Sequence, residues 1–239
     1  MSSEQQRPVG PVVGPTPALR PSLDTKLSGR YVTVVGMTNE HIVSLYPHVS
    51  GEENSYLWDY MLNGPFNELS DFCASMEAYV SSGELVLYAI IPTEQPTTPN
   101  GADNVIGCAG YLNINAKNRS VEVGSVLFSP KLQKTPAATE AMYLMAKHAF
   151  EDLGYRRYEW KCNHLNSSSQ RAAIRLGFTF EGIFRQHMIV KGRNRDTAWF
   201  AIIDGDWIGI RDAFDGWLDP SNFSEDGLQR KKLEDFRRK

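Results

Sequence analysis

Residues 129–138 join a predicted strand to a predicted helix and could bind an anion. Thr135 can cap the helix, and Pro136 is favourable at the first helical position. The first turn of a helix leaves backbone N–H groups unpaired at the positive end of the helix dipole, which suits a phosphate. Lys134 adds a positive charge. The turn is therefore either a phosphate site or an ordinary capped helix start.

A second group of polar side chains opens a short helix further along the chain. Residues 158–163 alternate between apolar and polar side chains, the pattern of a strand. Asn166, or one of the serines after it, can cap the next helix through a side-chain oxygen. Gly177 ends this helix where a left-handed residue is favoured. A β-rich run over 178–203, with a turn at 191–194, predicts a long two-stranded hairpin.

Together these features resemble a known family, the GNAT acetyltransferases, and within it the RimJ/RimL-like branch. That branch acetylates protein N-termini or small-molecule amines. The resemblance covers roughly residues 27–207 and is specific between Val121 and Ile203. It rests on this order of motifs: Asn166-x-x-Ser169, Leu176-Gly177-Phe178, Glu181-Gly182 and then Asp196.

The resemblance implies a fold and a donor. The fold is one α/β (α+β) domain with a mixed, mostly antiparallel sheet, splayed at the acyl-coenzyme A site and flanked by helices. The donor is acetyl-coenzyme A (acetyl-CoA). In the family, a Gln/Arg-x-x-Gly-x-Gly/Ala turn holds the pyrophosphate, and Pro136 here replaces a glycine and has no N–H to offer. The implied coenzyme-binding residues are Val126, Phe128, Gln133, Lys134, Thr135, Ala137, Ala138 and Asn166.

The resemblance also implies catalytic roles. The attacking amine must be neutral, and Glu122 could accept its proton directly or through a water. A salt bridge with Arg119 or Lys161 is the alternative role for this carboxylate. A backbone N–H near Val126 could stabilise the oxyanion of the tetrahedral intermediate. Ser169 stands where a hydroxyl could protonate the leaving thiolate, with helix capping as its alternative role.

The sequence says less about the residues that would bind the acceptor amine. Some RimL-like proteins carry a glutamate where this chain has Met188, so that base is absent. His187 could substitute for it, or could simply pack on the surface. Trp199 is expected to line the acceptor pocket or the core. Asp196 could pair with Arg193 or Arg195 and hold the hairpin, which is the favoured role, or it could bind a substrate ammonium.

Composition limits the class of protein. Of 239 residues, 41% are hydrophobic and 22% are charged, which is enough for a packed core. The net charge of −3 gives no basic field, so no nucleic-acid partner is expected. No apolar run is long enough to cross a membrane, and no secretory signal is recognised. Three scattered cysteines and five scattered histidines predict a reduced, cytoplasmic protein without a metal.

The predicted organisation is a disordered or extended proline-rich tail over 1–28, one acetyltransferase domain over 29–218 and a polar tail over 219–239. A homodimer is suggested by the final strand and by Trp217. Strands are predicted at 30–37, 84–91, 104–114, 119–128, 158–163 and in the hairpin, and helices at 39–49, 51–62, 71–81, 139–153, 170–176 and 206–218.

Three functions remain open. The favoured one is acetyl transfer from acetyl-CoA to a primary amine of a small molecule, by direct attack in a ternary complex. Transfer to a protein N-terminus is the second. A non-catalytic acyl-CoA-binding protein is the third, suggested by Pro136 and Met188.

Overall fold

The computed structural model describes Arg7, residues 9–93 and residues 104–237. Within these residues one sheet of eight strands forms the centre of the molecule. The strands are β1 (Lys26–Ser28), β2 (Val32–Gly36), β3 (Val86–Pro92), β4 (Gly107–Asn115), β5 (Ser120–Phe128), β6 (Arg157–Asn163), β7 (Thr179–Val190) and β8 (Arg193–Ile203). The helices are α1 (Asn39–Val49), α2 (Leu69–Ser81), α3 (Pro136–Lys147), α4 (Ser167–Leu176) and α5 (Asp204–Leu218).

The strand order is β1-β2-β3-β4-β5-β6-β8-β7. Every neighbouring pair is antiparallel except β5 and β6, which run parallel. The predicted single α/β domain, with a mixed, mostly antiparallel sheet flanked by helices, is confirmed.

The two faces of the sheet bury separate hydrophobic clusters. Side chains alternate between faces along a strand, so Tyr88 and Ile90 of β3 join one cluster while Leu87 and Ala89 join the other. Burial on both faces is typical of a central strand. The larger cluster packs under α3, α4 and α5, and the smaller one packs under α1 and α2.

The sheet splits between β5 and β6. The two strands pair only from Ser120 to Glu122, against Arg157 to Glu159. β5 continues to Phe128 along β4, whereas β6 continues along β8. The predicted splay therefore begins directly after Glu122.

Local signals predicted the start of α3 and both ends of α4. Thr38 caps α1, Thr135 caps α3 with proline at the first position, and Asn166 caps α4. Gly177 ends α4 with a φ of 102°, in the left-handed region that glycine adopts without a steric penalty.

Other elements differ from the prediction. The helix expected over 51–62 is a short 3-10 helix, Glu52–Trp58. The helix expected over 139–153 is α3, which starts at Pro136, followed by a π-helical turn at His148–Asp152. The loop predicted after β3 lies mostly at 94–103, outside the described residues.

Both predicted tails contain packed residues. Ala18 is buried, and residues 26–28 form β1 beside β2. At the other end, two short 3-10 helices (Pro220–Asn222 and Leu233–Phe236) follow α5, and Leu233 is almost fully buried. These contacts join both segments to the domain.

The homodimer stays a prediction. It was suggested by the final strand and by Trp217, and the structure shows where both lie. Trp217 is buried against Phe223, so its side chain is not available for an interface. The edge strand is β7, which exposes Phe184 and Ile189. Within the described residues, no helix is long and apolar enough to cross a membrane.

Candidate active site

Glu122 lies almost completely buried at the split. Its Oε2 accepts a hydrogen bond from Asn113 Nδ2 at 2.6 Å and pairs with Lys161 Nζ at 2.7 Å. A bulge in β4 holds Asn113 at a φ of 49° beside Glu122. Of the two expected ion-pair partners, Lys161 is therefore the one bound, and Arg119 forms no ion pair with any residue in the described parts of the chain.

The other oxygen of Glu122 remains free. No donor among the described residues bonds Oε1. Gly124 lies two residues further along the same face, and a Cβ built there would be 3.5 Å from Oε1. The same Cβ would be 2.7 Å from Leu112 Cδ2, so the Leu112 side chain occupies the space that the glycine leaves. A carboxylate that is fixed through one oxygen and open at the other has the geometry of a proton acceptor.

A chain of charges leads from Lys161 to the sheet edge. Lys161 Nζ also pairs with Glu159 at 2.9 Å and lies 3.9 Å from the centre of the Trp199 ring. Arg157 Nε bonds Glu159 at 2.6 Å, and its two Nη atoms bond Glu181. Burial opposes the charge of Glu159, but the hydrogen bonds from Arg157 and Lys161 prevail and lower its pKa.

β5 has an open edge beyond Glu122. Ser125 has a φ of 49° at a bulge, where β5 has one more residue than β4. Residues 124–126 and Phe128 are partly exposed although they belong to a central strand. The backbone near Val126 therefore lacks a partner strand on the β6 side, as expected for a strand that pairs with a bound ligand.

The turn before α3 keeps several of its N–H groups free. Lys134 has a φ of 61°, and the N–H groups of Lys134, Thr135 and Ala137 have no acceptor within the described residues. Thr135 Oγ1 accepts from the Ala138 N–H at 3.2 Å, so that group is already used. Gln133 Nε2 donates to the Phe128 carbonyl at 2.9 Å and closes the loop.

The helix start at α4 lies on the opposite face of the sheet from Glu122. Asn166 Oδ1 accepts from the Ser169 N–H at 3.0 Å. Ser169 Oγ accepts from Trp160 Nε1 at 3.0 Å, which leaves its own proton available for donation. Burial raises the pKa of the neighbouring Cys162 thiol against the opposing effect of a hydrogen bond with Ser169.

The roof segment (residues 52–62) is tied to the sheet side by two side-chain bonds. Tyr60 Oη donates to the Leu165 carbonyl at 3.2 Å. Lys191 Nζ, at the tip of the hairpin, donates to the Trp58 carbonyl at 2.8 Å. Trp58 packs in the hydrophobic cluster on the sheet face that carries Glu122, and the space between the roof segment and this face is termed the Glu122 cleft.

The hairpin contributes aromatic and polar side chains to the same face. Phe184 stacks near Trp199 with 4.4 Å between ring centres, and His187 lies beside both rings. His187 Nδ1 is 3.0 Å from Thr197 Oγ1. The same oxygen accepts a hydrogen bond from Arg195 Nε at 3.2 Å. The acceptor-side roles of Trp199 and His187 stay predictions. No role was predicted for Thr197, and Arg195 was expected only as a partner of Asp196.

Asp196 does not share this face, because side chains alternate along β8. Its carboxylate accepts from the Gln186 N–H at 2.7 Å and from Asn194 Nδ2 at 2.9 Å. It lines a depression of about 640 Å³ together with Arg185, Gln186 and Asn194. Asp196 therefore bonds within the hairpin through Gln186 and Asn194 and not through the expected arginine, and it lies apart from the Glu122 cleft.

Two further positions were missed. Asn113 lies in an unremarkable strand, and only the bulge gives it a role. Glu140 of α3 accepts three backbone N–H groups, from Arg30, Tyr31 and Val32, at 2.6 to 2.9 Å. Among the described residues, no group of three or more His, Cys, Asp or Glu side chains could hold a metal ion.

Comparisons with known proteins agree with this geometry. A family profile described as "Acetyltransferase (GNAT) domain" matches residues 34–179. A crystal structure of a GCN5-related N-acetyltransferase from Brucella melitensis is 37% identical with a TM-score of 0.86, covering 93% of this chain and 97% of that one. The chain belongs to the GNAT family of acetyltransferases.

Two curated relatives are more distant. The uncharacterized N-acetyltransferase p20 of Bacillus licheniformis is 28% identical over 153 residues, which are 63% of this chain and 82% of p20. The uncharacterized N-acetyltransferase YoaA of Bacillus subtilis (strain 168) is 28% identical over 99 residues, 41% of this chain. That match spans 55% of YoaA. The RimJ/RimL-like branch stays a prediction.

One solved structure shares the fold at low identity. The Microcin C7 self immunity acetyltransferase MccE, solved in complex with acetyl-CoA and AMP, is 19% identical with a TM-score of 0.60, over 73% of this chain and 93% of MccE. At this identity the likeness is one of fold.

Proposed function

We propose that this acetyltransferase moves an acetyl group from acetyl-CoA to a primary amine of a small molecule. The observation that carries the proposal is the free Oε1 of Glu122 beside the open edge of β5. A proton acceptor and an unpaired strand edge are the two features that acetyl transfer to an amine requires at one place.

The donor site fits the coenzyme in most respects. The free N–H groups of Lys134, Thr135 and Ala137 suit a pyrophosphate, and Lys134 adds charge. Pro136 removes one donor, and the capping bond of Thr135 uses another. The open backbone near Val126 and Phe128 would pair with the pantetheine arm. When bound, acetyl-CoA supplies an acetyl group activated as a thioester.

Glu122 would deprotonate the acceptor. Its Oε2 is fixed by Asn113 and Lys161, so the free Oε1 accepts the proton of the attacking amine, directly or through a water. The amine nitrogen then forms the amide bond as the carbon–sulfur bond breaks. A backbone N–H near Val126 would stabilise the oxyanion, and the Ser169 hydroxyl would protonate the leaving thiolate.

The tethered roof supports a small acceptor over a peptide. Bonds from Tyr60 and Lys191 connect the roof segment to the sheet side at two points. An extended peptide needs an open groove at both ends, whereas a small amine needs only one entrance. MccE, the fold relative with bound acetyl-CoA, supports the choice of donor.

The test is a calorimetric titration with acetyl-CoA, followed by transfer assays on a panel of amines that monitor thiol release. Glu122→Gln should lower kcat by about 100-fold or more, because it removes the proton acceptor and keeps the shape. Acetyl-CoA affinity should not change. Glu181→Gln, at the exposed end of the charge chain, is the matched control and should retain most activity.

Two results would contradict the proposal. If the native protein does not bind acetyl-CoA in the titration, acetyl-CoA is not its donor. Full turnover by Glu122→Gln would remove Glu122 from the mechanism, and His187 would become the base to test next.

A further inference from the structure

We infer that the acceptor carries a carboxylate as well as its amine, and that Arg195 binds this carboxylate. The inference rests on the proposed acetyl transfer at Glu122 and specifies which amines enter the same cleft.

Arg195 is a partly buried cation on this face, and its two Nη groups remain unused. It lies on β8 with its side chain on the face of Trp199 and Thr197. Its Nε donates to Thr197 Oγ1 at 3.2 Å, and both Nη groups lack an acceptor among the residues that the structure describes. No carboxylate in those residues forms an ion pair with it.

Two other cations on this face are paired with carboxylates, and Lys191 at the hairpin tip donates to the Trp58 carbonyl. Lys161 is bound between Glu122 and Glu159, and Arg157 is bound between Glu159 and Glu181. Arg195 is partly buried, and burial lowers its pKa against the opposing effects of Cys162 and of the Glu122 charge. A partly desolvated cation without a counter-ion is unfavourable, and a bound anion would relieve that state.

The orientation of Arg195 suits a carboxylate. Arginine can only donate, so the buried Thr197 hydroxyl accepts from Nε, and its own proton is free for His187 Nδ1. This chain fixes one edge of the guanidinium. The remaining edge presents Nη1 and Nη2, the pair of donors that binds the two oxygens of a carboxylate.

The position of Lys161 argues against an acceptor recognised by positive charge. A carboxylate next to an aromatic face is a favourable ammonium site, but Lys161 Nζ fills it, 2.7 Å from Glu122 and 3.9 Å from the Trp199 ring centre. A polyamine would therefore meet cations rather than free carboxylates. An amine at Glu122 Oε1 with an anionic group toward Arg195 matches the charges that remain.

The experiment compares L-amino acids with their carboxamides, which keep the amine and lose the carboxylate. The native protein should acetylate the best amino acid with a higher kcat/KM than its amide. Arg195→Gln should lower kcat/KM for that amino acid about 30-fold or more, and leave the amide unchanged. The ratio of kcat/KM for the amino acid to kcat/KM for its amide is compared between the native enzyme and the variant, so the intrinsic basicity of each amine cancels.

Two variants complete the design. Arg195→Lys keeps a charge but loses the paired Nη donors, and it should retain part of the preference for the amino acid over its amide. Arg193→Gln removes an exposed arginine two residues away on the same strand and should retain all of it. Calorimetric binding of the N-acetyl amino acid and of its amide gives the same comparison without turnover.

The outcomes separate this inference from the proposed function. Equal use of acids and amides, or a preference that survives in Arg195→Gln, would overturn the inference and leave acetyl transfer standing. Acetyl-CoA binding without transfer to any amino acid would also overturn it. A protein that does not bind acetyl-CoA would overturn both.

Discussion

Lys161 shows how one side chain can set the position of the split. Glu122 and Glu159 face each other in the last register pair of β5 and β6. Opposed carboxylates on neighbouring strands repel one another, and Lys161 Nζ lies within 2.7 and 2.9 Å of the two. The strands are thus held together at this pair and separate beyond it. The same contact leaves one oxygen of Glu122 free.

The charge chain should make stability depend on pH. The bonds from Arg157 lower the pKa of Glu181, and those from Arg157 and Lys161 lower that of Glu159 below the ordinary 4.5. The unfolded chain therefore binds protons first as the pH falls, and stability is lost from about pH 4.5 downward. Urea unfolding of Arg157→Gln at pH 7 and pH 4 should show a smaller pH dependence than the native protein.

The exposed pair of Arg211 and Asp212 provides the control for this experiment. Arg211→Gln should change the pH dependence little, because exposed ion pairs are weak. An unchanged pH dependence in Arg157→Gln would mean that the charge chain contributes nothing to acid sensitivity.

The sequence could predict part of this site. The ion pair between Lys161 and Glu122 was one of the expected alternatives. The roles of Asn113 and Arg195 depend on a bulge in β4 and on the pairing of β7 with β8. Neither leaves a local signal, because non-local pairing decides both.

At the scale of elements, α3 has two functions. Its first turn presents free N–H groups toward the proposed coenzyme site. One turn later, Glu140 collects three successive N–H groups from the start of β2 and the residues before it. Gly29 allows this approach, since a Cβ there would collide with the Glu140 carboxylate. The helix thereby anchors the first strands of the sheet.

Removal of the Glu140 charge should loosen this anchor. Glu140→Gln replaces one accepting oxygen with a donor and should lower the free energy of unfolding by about 2 kcal/mol. Gly29→Ala should have a similar effect through the steric clash. Chemical denaturation measures both changes. Glu77→Gln, an exposed glutamate on α2, should stay within about 0.5 kcal/mol of native. Equal stability of Glu140→Gln and Glu77→Gln would contradict the anchor.

Elements with local signals were predictable, and elements set by tertiary contacts were not. The caps at Thr38, Thr135 and Asn166 and the stop at Gly177 are properties of a few adjacent residues. The short β1 exists only because β2 lies beside it. The Met145 carbonyl, near the end of α3, accepts from Tyr111 Oη, a contact that spans 34 residues.

At the scale of the whole molecule, the C-terminal segment closes the core. Composition predicted a polar tail from residue 219, because the segment holds few apolar residues. Two of these apolar residues contact the domain. Leu233 is part of the larger core, and Phe236 packs on Gly216 of α5. Arg237 donates to the carbonyls of Ile174 and Arg175, the last turn of α4. The segment therefore also caps the helix that carries Ser169.

Truncation of one apolar side chain shows whether the C-terminal segment is packed on the domain or solvated. Leu233→Ala should lower the free energy of unfolding by about 2 to 5 kcal/mol, because the side chain is 1% exposed in a packed core. Leu228→Ala, in the same segment but 69% exposed, should change it by less than about 0.5 kcal/mol. Urea titration at pH 7 measures both. Equal values would mean that the segment is solvated as its composition suggests, and that α4 holds Ser169 without its cap.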